Sequence, residues 1–115
     1  MILKNAKLFN DSFEIIRADV ETDGDKIAQL GPELTGTEHS IDLSGCVILP
    51  GLVDIHIHGC AGADTFDGTR DAIERMAAHL VQKGVTSFCP TTMTGSAEQI
   101  AAALSAVRDC MDRPP

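Results

Sequence analysis

Pro50-Gly51-Leu52-Val53-Asp54-Ile55-His56-Ile57-His58-Gly59 is the stretch on which the fold turns. Residues 52–58 read as a strand, and side chains on a strand alternate faces. Asp54, His56 and His58 therefore share one face, while Val53, Ile55 and Ile57 share the other. The apolar face suits packing beneath helices, and the polar face would look into a barrel interior. Two imidazoles two residues apart can converge on one metal ion, and neutral imidazole suits zinc, iron and nickel. The same pair also fits two polar histidines at a strand end. Asp54 reads as a structural carboxylate or as a partner orienting a histidine.

Downstream, residues 71–83 carry Ile73, Met76, Ala77, Leu80 and Val81 at helical spacing. Thr69 suits the N-cap, and Gly84 suits the stop after Lys83. Val85–Pro90 reads as a second strand. Ser96 and Gln99 form a capping box. It opens a helix with Ala97, Ile100, Ala101, Leu104, Val107 and Met111 on one stripe, ended by Pro114-Pro115. The order β-α-β-α predicts a parallel sheet covered by helices. A closed (β/α)8 barrel needs eight such units and typically about 250 residues. With 115 residues the chain reads as a fragment or a truncated form.

Upstream, Ile2–Phe9, 13–20 and 26–30 read as short strands separated by Asn10-Asp11 and Asp23-Gly24-Asp25. Gly31-Pro32 and a polar stretch to His39 follow. Two more short strands, 41–43 and 47–49, flank Ser44-Gly45. Residues 1–50 thus form a β-rich module, and residues 51–115 the alternating strands and helices, with Pro50-Gly51 as the boundary.

Composition excludes several classes. With 43% hydrophobic and 23% charged residues the chain is globular rather than disordered. Nine basic residues against 17 acidic ones, net −8, argue against a nucleic-acid partner. No apolar run reaches the roughly 18 residues that a membrane span needs. Lys4, Asn5 and Lys7 interrupt the start, so it does not read as a signal peptide. Cys46, Cys60, Cys89 and Cys110 form no CxxC and read as reduced thiols of a cytoplasmic protein.

Pro50-Gly51-x-x-Asp54-x-His56-x-His58-Gly59, preceded by Asp42-Leu43-Ser44-Gly45, resembles the first barrel strand of the amidohydrolase superfamily. Two further blocks are similar to its N-acetylglucosamine-6-phosphate deacetylases. One is Gly59-Cys60-Ala61-Gly62-Ala63-Asp64-Thr65-Phe66-Asp67-Gly68-Thr69; the other runs from Gly84-Val85-Thr86-Ser87-Phe88-Cys89-Pro90-Thr91-Thr92 to Met93-Thr94. The resemblance implies an α/β fold. Residues 1–50 would be the N-terminal portion of a β-sandwich, and 51–115 the first two βα units of an incomplete (β/α)8 TIM barrel. It implies a hydrolase that removes acetate from N-acetylglucosamine 6-phosphate, dimeric when full-length. By the matching positions His56 and His58 would ligate a divalent metal, zinc or iron, in a site of one or two ions.

The resemblance also implies a Glu in a His-Leu-Glu-Gly-Pro-like segment, two further His ligands and a catalytic Asp. No segment of the 115 residues matches these, so no catalytic residue is assigned and the chain alone is expected to be inactive. His39 and His79 are not substitutes: the first falls in the polar stretch, the second off the helical stripe. Two alternatives stay open. One is another amidohydrolase, a cyclic-amide hydrolase or a deaminase; the other is a non-catalytic interaction module. Asp64 and Asp67 suit turn and helix-start roles as well as a substrate loop. Thr91, Thr92 and Thr94 could bond a sugar or simply shape a turn. Cys60 and Cys89 read as small buried hydrophobes.

Overall fold

The structure, a computed structural model, describes residues 1–35 and 39–114. The end of the expected polar stretch (36–38) and the terminating Pro115 lie outside the described residues. The fold is mixed α/β, and the chain divides into two compact units, Met1–Pro50 and Gly51–Pro115. No helix among the described residues is long and apolar enough to cross a membrane.

The first unit is a four-stranded sheet in the order β3-β2-β1-β4. Strands β1 (Ile2–Phe9), β2 (Ile15–Asp23) and β3 (Lys26–Gly31) form an antiparallel meander; β4 (Ser40–Asp42) joins β1 in parallel. Gly24, with φ +57°, makes the β2–β3 turn where a side chain would be strained. The β1–β2 register slips between Leu3 and Ala6, with Asn5 at φ 61°. That bulge would orphan the Asn5 amide, but the Asp19 carboxylate accepts it at 2.8 Å. Its other oxygen accepts the Leu34 amide at 2.9 Å. Asp19 is only 5% exposed, and these two bonds compensate the buried charge.

The strand expected at 47–49 does not form. Val47 makes a single parallel bridge to Lys7, and Ile48 donates one amide to the Lys7 carbonyl at 2.8 Å. Pro50 has no N–H with which to continue the ladder.

In the second unit β5 (Leu52–Ile57) and β8 (Val85–Pro90) pair in parallel, and α1 (Arg70–Val81) lies between them in the chain. α2 (Ala97–Asp112) follows β8. The Thr69 hydroxyl caps α1 by accepting the Ala72 amide, and Gly84 turns the chain at φ +81°. The Ser96–Gln99 capping box is complete in both directions. Ala72, Ile73, Met76 and Ala106 are the core, with Ile57, Phe88, Val107 and Cys110 against it. Each large apolar side chain so buried contributes about 1.5–3 kcal/mol.

The buried stripe of α2 differs from the expected one. Ala103 and Ala106 are buried, whereas Leu104 is 57% and Met111 75% exposed. Small residues win because α2 approaches closely: a Cβ at Gly68 would already sit 3.1 Å from the Ala102 methyl. Leucine at such a contact would hold the helix off.

Candidate functional site

Parallel pairing puts the C-terminal ends of β5 and β8 side by side, where open parallel sheets place their ligands. His56 lies in the last turn of pleat of β5 and His58 immediately after it. The histidine rings meet edge to face, centroids 5.0 Å apart, and their Nε2 atoms are 3.3 Å apart. His56 is exposed and His58 half-buried.

His58 has a defined tautomer. Its Nδ1 is 3.0 Å from the Thr91 carbonyl oxygen, which can only accept. Nδ1 therefore carries the proton, and neutral His58 presents a bare lone pair at Nε2. Two Nε2 atoms 3.3 Å apart are close enough for both to reach one cation at the usual Zn–N distance of about 2.0–2.1 Å. The pair thus fits one cation. Among the described residues no cluster of three or more His, Cys, Asp or Glu side chains completes a cage.

Asp54 does not reach an imidazole. Its Oδ1 accepts the backbone amide of His56 at 3.0 Å, so it holds the His56 peptide. Gly59 begins a small hairpin that sequence reading missed, β6 (Gly59–Cys60) with β7 (Ala63–Asp64). Ala61 and Gly62 turn it, both at positive φ. A Cβ on Gly59 would overlap the Ala63 carbonyl oxygen. The Asp64–Asp67 pair, spaced as in a capping box, was the signal for the 3₁₀ turn Thr65–Asp67 that follows. Asp64 Oδ1 accepts the Phe66 amide at 2.7 Å, and Asp67 Oδ2 accepts the Asp64 amide at 2.9 Å. Both carboxylates thus serve turn geometry, although they also line a shallow concavity of about 440 Å³ with His58 and Cys60.

The Thr91 hydroxyl donates to the Cys89 carbonyl at 3.0 Å and shapes the chain after β8. Thr92 is half-buried and Thr94 exposed. Cys60 packs against the core as expected, and burial, with the Asp54 charge second, raises its thiol pKa. Cys89 is exposed instead: on a two-stranded sheet nothing covers its face. All four cysteines are free. His79 is half-buried on α1. His39 precedes β4, where its carbonyl accepts the Ile2 amide at 3.0 Å.

Comparison with known proteins matches residues 47–113 to the model of the amidohydrolase family. N-acetylglucosamine-6-phosphate deacetylase of Bacillus subtilis (strain 168) is 31% identical over 112 residues, covering 95% of this chain and 28% of that protein. A dihydroorotase of Lactobacillus johnsonii is 44% identical over 57 residues, 50% of this chain and 13% of that one. The crystal structure of N-acetylglucosamine-6-phosphate deacetylase from Pasteurella multocida superposes with a TM-score of 0.87 at 25% identity. That match covers 97% of this chain and 30% of the other. The chain therefore spans less than a third of the length of these relatives.

Proposed function

Since the chain belongs to the amidohydrolase family, matched over residues 47–113, we propose that it is the N-terminal part of a metal-dependent deacetylase. The reaction is hydrolysis of N-acetylglucosamine 6-phosphate to glucosamine 6-phosphate and acetate. Closeness of fold carries this reading. A deacetylase structure superposes on 97% of the chain with a TM-score of 0.87, whereas the dihydropyrimidinase of Brevibacillus agri, which covers 94% of the chain, reaches only 0.60. In this reading residues 1–50 are a portion of a β-sandwich, and residues 51–115 supply the first two βα units of a (β/α)8 barrel.

His56 and His58 hold a divalent cation, zinc or iron by the chemistry of imidazole donors. When bound, the cation supplies acidity to a water and polarises the acetyl carbonyl. The chain's own residues prepare that site. The Thr91 carbonyl keeps the proton on His58 Nδ1 and so leaves Nε2 bare. Asp54 fixes the His56 peptide. The acid–base Asp and the remaining ligands implied by the resemblance match no segment of the 115 residues, so this chain by itself turns over no substrate. The full-length enzyme would take a small amino-sugar phosphate, act as a homodimer and work in the cytoplasm, a compartment that suits four free thiols.

Sequencing the encoding gene past Pro115 tests the reading. A His-Leu-Glu-Gly-Pro-like segment followed by further histidines and an Asp is expected. A lysine of the kind that becomes carboxylated would favour a cyclic-amide hydrolase and overturn it. Acetate release by the purified 115-residue chain with zinc would overturn the assignment of its inactivity.

A further inference from the structure

His58 is held at both ends by two loops that also hold each other. Its carbonyl accepts the Thr65 amide at 2.8 Å. Its Nδ1 donates to the Thr91 carbonyl at 3.0 Å, and the Thr91 amide donates back to the Ile57 carbonyl at 2.8 Å. Thr65 and Phe66 belong to the turn after β5, and Thr91 opens the loop after β8. These two segments meet where the Phe66 ring lies over Gly95. A Cβ built on Gly95 would fall 2.5 Å from Phe66 Cζ and 2.6 Å from Cε1, so any side chain there would push the ring off its seat. The base of Phe66 is tied by the Asp64 carboxylate on its amide. The far end of the loop is tied by Gln99 Oε1, which accepts the Ser96 amide at 3.0 Å.

We infer that Phe66, seated on Gly95, is a positioning residue: it braces the 91–96 loop so that the Thr91 carbonyl keeps His58 in the Nδ1–H tautomer and Nε2 stays free for a divalent cation. The inference rests on reading His56 and His58 as metal ligands and deepens it. Without the brace the course of the loop is set by the Thr91 amide bond to Ile57, the Thr91 hydroxyl bond to Cys89 and the cap of α2. The Thr91 carbonyl then leaves His58 for part of the time, and the imidazole samples the Nε2–H form, which cannot ligate through Nε2. Outer partners of this kind change metal affinity by about 10- to 100-fold.

The test uses the 115-residue chain in two ways. Ring ¹⁵N spectra of the metal-free chain report the His58 tautomer, and titration with zinc alone reports affinity. The variants are Phe66→Ala, Gly95→Ala, and Gly95→Ala combined with Phe66→Leu, whose shorter side chain lacks the atoms that a Cβ at 95 would strike. Circular dichroism confirms that each variant is folded. Wild type is expected to show protonated Nδ1 at His58. Phe66→Ala and Gly95→Ala are expected to give a mixed tautomer and about tenfold weaker zinc binding, and the double variant to recover both. A loss of fold would move the whole spectrum and would not be recovered by a second substitution in the same contact. Wild-type tautomer and affinity in both single variants would overturn the inference, as would protonated Nε2 in the wild-type chain. Should wild type bind no zinc, the metal reading fails, while the tautomer spectra still decide this one.

Discussion

The Nε2 atoms of His56 and His58 stand 3.3 Å apart, a separation at which two bare lone pairs repel unless a proton or a cation lies between them. The pair is therefore expected to take up one zinc ion per chain in calorimetric titration. His56→Ala and His58→Ala should each weaken that binding by at least about tenfold, since loss of a ligand costs no less than loss of its outer partner. Unchanged affinity in both variants would move the ion elsewhere, with the concavity beside Asp64 and Asp67 as the next place to look.

Asp19 ties the β1 bulge to the chain after β3. Its removal leaves the amides of Asn5 and Leu34 without their acceptor. A buried donor left unpaired costs roughly 1–3 kcal/mol. Asp19→Ala is expected to lower the unfolding free energy by about 3 kcal/mol, and Asp19→Asn, which keeps one acceptor oxygen, by less. Denaturant titration at neutral pH measures both; a loss below about 0.5 kcal/mol for Asp19→Ala would mean that water replaces the carboxylate at no cost.

The end of α2 is held by charge. The Asp109 carboxyl sits below its ordinary 3.8, mainly through the hydrogen bond from Arg113, with Arg70 adding to it against a desolvation that works the other way. Arg70 also donates to the carbonyl oxygens of Asp109 and Arg113, at 3.1 and 2.6 Å. A carboxyl with a depressed folded-state pKa stabilises the fold above its unfolded value, and that share is lost as pH falls through the folded value. Asp109→Asn should therefore melt below wild type at pH 6, and the gap should close as pH drops below 3.8. A gap that persists at pH 2 would assign the effect to packing.

Thr65 is fully buried, and its Oγ1 has no hydrogen-bond partner among the described residues. Its backbone amide, which serves His58, does not depend on the side chain. Thr65→Val keeps the shape and removes the stranded hydroxyl, so thermal unfolding should shift upward, by about 1 kcal/mol in stability. A downward shift would point to an ordered water on that oxygen.

The parts of the fold that were legible in the sequence are those set by local rules. Thr69, Ser96 and Gln99 announce the starts of α1 and α2 because capping is a matter of three or four residues. Alternation along β5 placed His56 and His58 on one face without any knowledge of their neighbours. What escaped depends on distant chain. The buried stripe of α2 is set by how closely the turn at Gly68 approaches Ala102, which no helical periodicity reports. The exposure of Cys89 depends on what covers β8, and β-propensity says nothing of that. Asp54, read as a structural carboxylate or as a partner of a histidine, takes the structural role: it bonds a backbone amide two residues away, and an aspartate closing on its own chain needs no partner strand. The bond from His58 to Thr91 spans 33 residues and arises only from the parallel register of β5 and β8.

Gly59 follows His58 directly, yet the two answer to different demands. The glycine is required because the hairpin closes its own backbone onto that position, leaving no room for a methyl group. The histidines answer to each other's nitrogens and, for His58, to the Thr91 carbonyl. A descendant chain could exchange both imidazoles and still be unable to part with the glycine. In a pedigree of such sequences the last letter of the motif is a record of architecture, and the two before it a record of trade.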